Sequence, residues 1–127
     1  ASGDLVQGRE ILAGRPKDFI VVSGDDETAI QLIQSGAEGV ISVIAGGFPN
    51  LFISGVQAAI EGDHKKADEI ANLVQSIADQ VYAEGNPGGI KAVLALRGMI
   101  ENQLRLPLIP VSDPVRSALK TFVDKYD

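Results

Sequence analysis

Apolar residues recur along this chain at two different spacings. Leu5, Ile11 and Leu12 follow Asp4 at helical intervals, with Asp4 placed to cap them, and Gly14, Arg15 and Pro16 then withdraw helical geometry and a backbone donor. Residues 19–22, FIVV, form an unbroken apolar run with three β-branched members, which predicts a strand buried on both faces as in a helix-covered parallel sheet. Ala29, Leu32 and Ile33 share one face of the next predicted helix, and Gly36 is placed to stop it in a left-handed conformation. Residues 39–45, GVISVIA, predict a second buried strand. Helical spacing returns at Phe52, Gly55, Val56, Ala59 and Ile60, and again after the candidate cap Asp63 at Ala67, Ile70, Ala71, Val74, Ile77, Ala78 and Val81. GNPGG then breaks the pattern, with Asn86 as the predicted cap and Pro87 at the first position of a helix presenting Ile90, Val93 and Leu94. Residues 104–114, LRLPLIPVSDP, contain three prolines and are predicted to cross the surface extended until Asp113 and Pro114 open a last helix. That helix carries Val115, Ala118, Leu119, Phe122, Val123 and Tyr126 on one stripe.

The order helix, strand, helix, strand, helix with short connections is the mark of repeated right-handed βα units. Two parallel strands alone are a physical problem, because each is apolar on both faces and needs a neighbour on both edges. The pattern therefore reads as part of a larger sheet. Composition adds limits rather than detail. A chain of 127 residues with 45% hydrophobic and 22% charged side chains suits one compact piece with a core. A net charge of -6 leaves no basic patch for nucleic acid or an anionic membrane. Without cysteine there is no disulfide, thiolate nucleophile or Cys-based metal site. No apolar run approaches the ~20 residues of a membrane span, and ASGDLVQGRE lacks the layout of a signal peptide, so a cytoplasmic location is expected.

ASGD, VVSGDD, GAEGVISVIA, EGDHKKADEI, EGNPGGIKAVLALRGMI and LRLPLIPVSD occur in this order over the whole chain. The succession resembles the C-terminal half of the dihydrodipicolinate synthase family, within the pyruvate-dependent class I aldolase superfamily. The resemblance implies an α/β fold, the C-terminal part of a (β/α)8 TIM barrel whose usual size is roughly 250 residues. Residues 1–62 would supply the last βα units, with barrel strands seven and eight, and residues 63–127 a C-terminal helical appendage, so that the piece is helix-dominated. Such enzymes condense pyruvate with aspartate semialdehyde in lysine biosynthesis, without metal or organic cofactor. A lysine amine attacks the ketone, and the resulting iminium draws electrons so that a carbon acid can attack the aldehyde.

By that resemblance the Schiff-base lysine is expected two residues before Ala1, leaving no catalytic residue within the chain and an inactive fragment. The proton-relaying tyrosine and the carboxylate-binding threonines would likewise belong to the N-terminal half, the expected partner, in a homo-oligomer that is a dimer or tetramer. Lysines 17, 65, 66, 91, 120 and 125 are expected on solvated loops and helix faces. Gly24 matches a position that packs against pyruvate, or else simply permits a turn. Ile41 matches one whose main-chain carbonyl faces pyruvate, and Ser42 is a further substrate-binding candidate. Asp25 and Asp26 could hold Mg2+ as in a receiver domain, or cap a helix beginning at Glu27. GVISVIAGGFP lacks the lysine of a phosphate loop and reads as a βα turn, while His64 stands alone and solvated. Three other readings stay open: an N-acetylneuraminate lyase or related keto-acid aldolase, a non-catalytic association module, and a receiver domain.

Overall fold

The computed structural model describes residues 2–126. Helix α1 (Leu5–Gly14) leads into strand β1 (Val22–Ser23), helix α2 (Asp26–Gln34) and strand β2 (Gly39–Val40). Five helices follow: α3 (Ile44–Gly47), α4 (Pro49–Glu61), α5 (His64–Val81), α6 (Gly88–Leu96) and α7 (Asp113–Tyr126). The two strands run parallel, Val22 opposite Gly39 and Ser23 opposite Val40.

The caps read from sequence close the helices they were assigned to, with one exception. Asp4 accepts from the amides of Val6 and Gln7, Asp63 from that of Lys66, and Gly36 lies at φ 109 beyond α2. Asn86, expected to cap α6, is exposed, and the helix begins at Gly88 with no side-chain cap. Packing decides that start. Gly88 and Gly89 are buried, and a Cβ on Gly89 would stand 1.9 Å from the carbonyl oxygen of Val81, so the first turn of α6 rests on the last turn of α5.

The strands also differ from expectation. Each has two residues where four and seven were predicted, and FIVV is not buried on both faces: Phe19, Ile20 and Val22 are exposed, Ile20 at 71%. The cause is the ladder. Beyond the two paired positions, β1 gains only the bonds from the Glu38 amide to the Val21 carbonyl and from the Ile41 amide to the Ser23 carbonyl, and among the described residues its other edge has no strand beside it. The second strand ends at Val40: after the Ile41 amide makes its bond to β1, the amides of Val43 and Ile44 turn towards the Asp26 carboxylate, and residues 44–47 become helix instead.

One hydrophobic cluster runs from Ala29 to Val123, with Phe48, Phe52, Ile30, Ile44, Ile77 and Leu119 fully enclosed. Its centre lies where α5 crosses α2 and α4, and α7 closes over α5 and α6. Gly55 permits the approach of α4, since a Cβ there would come within 2.7 Å of side-chain carbons on Ile30 and Ile70. Ile60, placed by periodicity on the inner face of α4, is 63% exposed although Ala58 and Ala59 on the same turn are buried, because it lies a further turn of about 100° round the helix from Ala59 and off the packed face. No helix among the described residues is long and apolar enough to cross a membrane.

Two glutamates tie irregular segments to this frame. Glu38 accepts from Arg15 Nη1 at 2.6 Å and from the Val21 amide at 2.9 Å, and Glu84 accepts from the Ser112 amide at 2.7 Å and the Ser112 hydroxyl at 2.5 Å. The Arg15 bond chiefly holds the Glu38 carboxyl below its ordinary 4.5, and the Ser112 hydroxyl does the same for Glu84. A depressed folded-state value means the contribution is complete above pH 4.5 and is lost as pH falls through the lower folded values. The melting temperature is therefore expected to fall as the pH drops below 4.5. Glu84→Gln and Glu38→Gln should each flatten that dependence.

Candidate functional site

Parallel pairing brings the C-terminal ends of β1 and β2 side by side. Gly24 follows the last residue of β1 and Ile41 the last of β2, and the Ile41 amide donates to the Ser23 carbonyl at 2.9 Å. Gly24 is exposed, the Ile41 side chain is 78% exposed, and Ser42 is half-buried with its hydroxyl accepting from the Ala45 amide at 2.8 Å. All three candidate residues thus sit on one rim, at the end of the sheet where barrel enzymes carry their chemistry.

Beneath the rim lies a polar layer. The buried Ser23 hydroxyl accepts from the Asp25 amide and donates to the Asp25 carbonyl, which sharpens the turn after β1. Asp25 caps α2, its Oδ2 accepting from the Thr28 amide at 2.9 Å and the Thr28 hydroxyl at 2.5 Å. Asp26 opens α2 and is 4% exposed, with Oδ2 accepting from the amides of Val43 at 3.2 Å and Ile44 at 3.1 Å and from the Tyr82 hydroxyl at 2.5 Å. Burying a carboxylate is costly unless donors replace water; here three donors and the positive end of α2 do so at Oδ2, while Oδ1 is buried without a hydrogen-bond partner. Burial pushes the Tyr82 phenol above its ordinary range, helped by its bond to Asp26 and by the charges of Asp26, Asp25 and Glu27. Tyr82 is thereby kept neutral, as a donor.

Both aspartates are engaged in the scaffold, and the described residues contain no group of three or more His, Cys, Asp or Glu side chains able to hold a metal ion. Lys17, Lys65, Lys66, Lys120 and Lys125 are exposed on loops and helices, and Lys91 donates to the Gln103 carbonyl. His64 is exposed beside Gln34. A small cavity of about 90 Å3 opens beside the rim between the start of α1, β1 and α2, lined in part by Gly3, Asp4, Ser23, Asp25 and Thr28.

The Asp26–Tyr82 bond escaped the sequence reading. In sequence Asp25 and Asp26 read only as a cap or a cation pair, and no local rule links residues 56 positions apart. The signal that was available is modest: one aspartate more than the cap needs, and a tyrosine closing the apolar stripe of α5.

Residues 1–126 match the model of the Dihydrodipicolinate synthetase family. The 4-hydroxy-tetrahydrodipicolinate synthase of Flavobacterium psychrophilum is 39% identical over 126 residues, covering 96% of this chain and 42% of the relative. Dihydrodipicolinate synthase from Aquifex aeolicus superposes with a TM-score of 0.90 at 31% identity, covering 99% of this chain and 43% of that structure. The chloride-inhibited synthase of Acinetobacter baumannii, solved with pyruvate, gives 0.85 at 32% identity over 99% of this chain and 43% of its own. The chain thus spans about two-fifths of the length of the relatives it matches. These matches exclude the receiver-domain reading, which also required five alternating strands where the described residues form two. By sequence and by fold alike, the chain belongs to the dihydrodipicolinate synthetase family and carries the C-terminal part of its (β/α)8 barrel.

Proposed function

We propose that this chain supplies the C-terminal part of a cytoplasmic synthase that condenses pyruvate with aspartate semialdehyde through a lysine imine, in lysine biosynthesis. The observation that carries the reading is the adjacency of Gly24 and Ile41 on the strand-end rim, in a chain that matches the family throughout. Gly24 leaves room for pyruvate to approach the backbone, the Ile41 carbonyl faces it, and Ser42 holds the turn beside it. The amine comes from outside this chain. It adds to the pyruvate ketone with loss of water, the iminium yields a proton from the methyl carbon, and the enamine carbon attacks the aldehyde. Residues 1–62 serve as the closing βα units and residues 63–127 as the appendage.

The exposed Phe19, Ile20, Val22 and Ile41 are the apolar surface that the remainder of the barrel would cover. Exposed Met99, Leu106 and Ile109 support assembly of the completed enzyme into a dimer or tetramer. Borohydride reduction in the presence of pyruvate tests the central claim. The chain by itself should gain no pyruvate adduct by mass spectrometry. Completed with the preceding barrel segment, it should show one adduct, on a lysine outside residues 1–127. Trapping on any of this chain's own lysines, or no trapping in the completed barrel, would falsify the reading.

A further inference from the structure

We propose that Asp26 and Tyr82 are positioning residues for the pyruvate-facing backbone, through which the helical appendage sets the geometry of the site. The inference rests on the reading that the Ile41 carbonyl faces pyruvate. Its basis is the way the chain leaves β2. After Val40 the pairing ends, and α3 begins three residues beyond Ile41 with only the Ser42 hydroxyl, on the Ala45 amide, serving its first turn locally, since its N-cap residue Val43 has no polar side chain to do so. The two amides before Ala45 are satisfied from another element: the Asp26 carboxylate, on the first turn of α2, takes those of both Val43 and Ile44. With the Ile41 amide tied to the Ser23 carbonyl, both ends of residues 41–43 are anchored, one to β1 and one to Asp26.

Tyr82 supplies the third bond to the same oxygen, Oδ2. It lies immediately after α5, the helix packed across α2 and α4, so any displacement of α5 would alter where the carboxylate sits. Asp26 is 4% exposed, which leaves bulk water little access to replace a lost donor. The carboxylate is therefore a three-way junction of β1–α2, β2–α3 and the appendage, two residues along from Gly24.

Three substitutions in the completed barrel, paired with amide hydrogen exchange in this chain, provide the test. Asp26→Ala leaves two interior amides without an acceptor, so exchange at Val43 and Ile44 accelerates and the KM for pyruvate rises by roughly tenfold, while the KM for the aldehyde substrate holds. Asp26→Asn keeps an oxygen acceptor in place and should restore most of both readouts. Tyr82→Phe removes one donor only and gives a smaller change in the same direction; it decides the matter should Asp26→Ala fail to fold. Unaltered exchange at Val43 and Ile44 in Tyr82→Phe would overturn the proposal. So would a parallel decline of kcat and both KM values that merely follows melting temperature. If the unsubstituted barrel fails to condense pyruvate, the functional reading falls, whereas the exchange measurements still decide whether Asp26 and Tyr82 hold the turn.

Discussion

Gly89→Ala is expected to destabilise the chain by about 3 kcal/mol, at the upper end for inserting a single methyl group. The methyl carbon would lie 1.9 Å from the Val81 carbonyl oxygen, 2.7 Å from its carbonyl carbon and 2.8 Å from its Cα. All three obstructing atoms are backbone, so no rotamer change relieves the clash and α6 must move away from the end of α5. That movement would draw on Ile90, Ala92 and Val93, all buried in the shared core. Gly14→Ala is the matched control, because nothing stands within 4 Å of its added methyl and its φ is not positive. In that helical position alanine should be neutral or stabilising by up to about 1 kcal/mol. Denaturant melts of the two variants give the comparison directly. Equal stability of Gly89→Ala and the parent would show that the α5–α6 junction is looser than described.

Ile20→Lys should have the opposite profile, almost silent in the chain alone and severe once the barrel is completed. Ile20 is already 71% exposed, so lysine there changes little that this chain buries. On the proposed function, the same position lies where barrel strands and their covering helices meet, and an unpaired ammonium buried there costs several kcal/mol. The melting temperature of the chain should stay near that of the parent, while co-purification with the preceding barrel segment and pyruvate condensation are both lost. Normal assembly and turnover by the Ile20→Lys protein would remove the run before β1 from the joint.

The two variants separate what local sequence can express from what it cannot. Helix ends were legible where a side chain caps its own helix: Asp4 and Asp63 accept amides two or three residues ahead, so spacing reveals them, while for α2 spacing leaves the cap between Asp25 and Asp26 and the structure assigns it to Asp25. The start of α6 was not, because its position follows from glycine meeting the Val81 carbonyl rather than from Asn86. Gly24 and Ile41 are candidates by family resemblance alone, and it is the parallel register of the strands that sets them side by side. Asp26 was visible only as a charge near a helix start. Its role depends on amides 17 and 18 residues away and on a hydroxyl from a third element.

By itself, then, the amino-acid order determined the succession of helices, the strand-poor imbalance that marks a partial barrel, and the family to which the motifs point. An α-helix closes its hydrogen bonds within four residues, so its signals are written nearby. Tertiary structure alone decided the length of β1 and β2, the exposure of FIVV, the origin of α6 and the burial of Asp26 against Tyr82. Each of these is settled by a partner distant in sequence, since a strand is only as long as its neighbour allows and a buried carboxylate only as stable as the donors that fold around it.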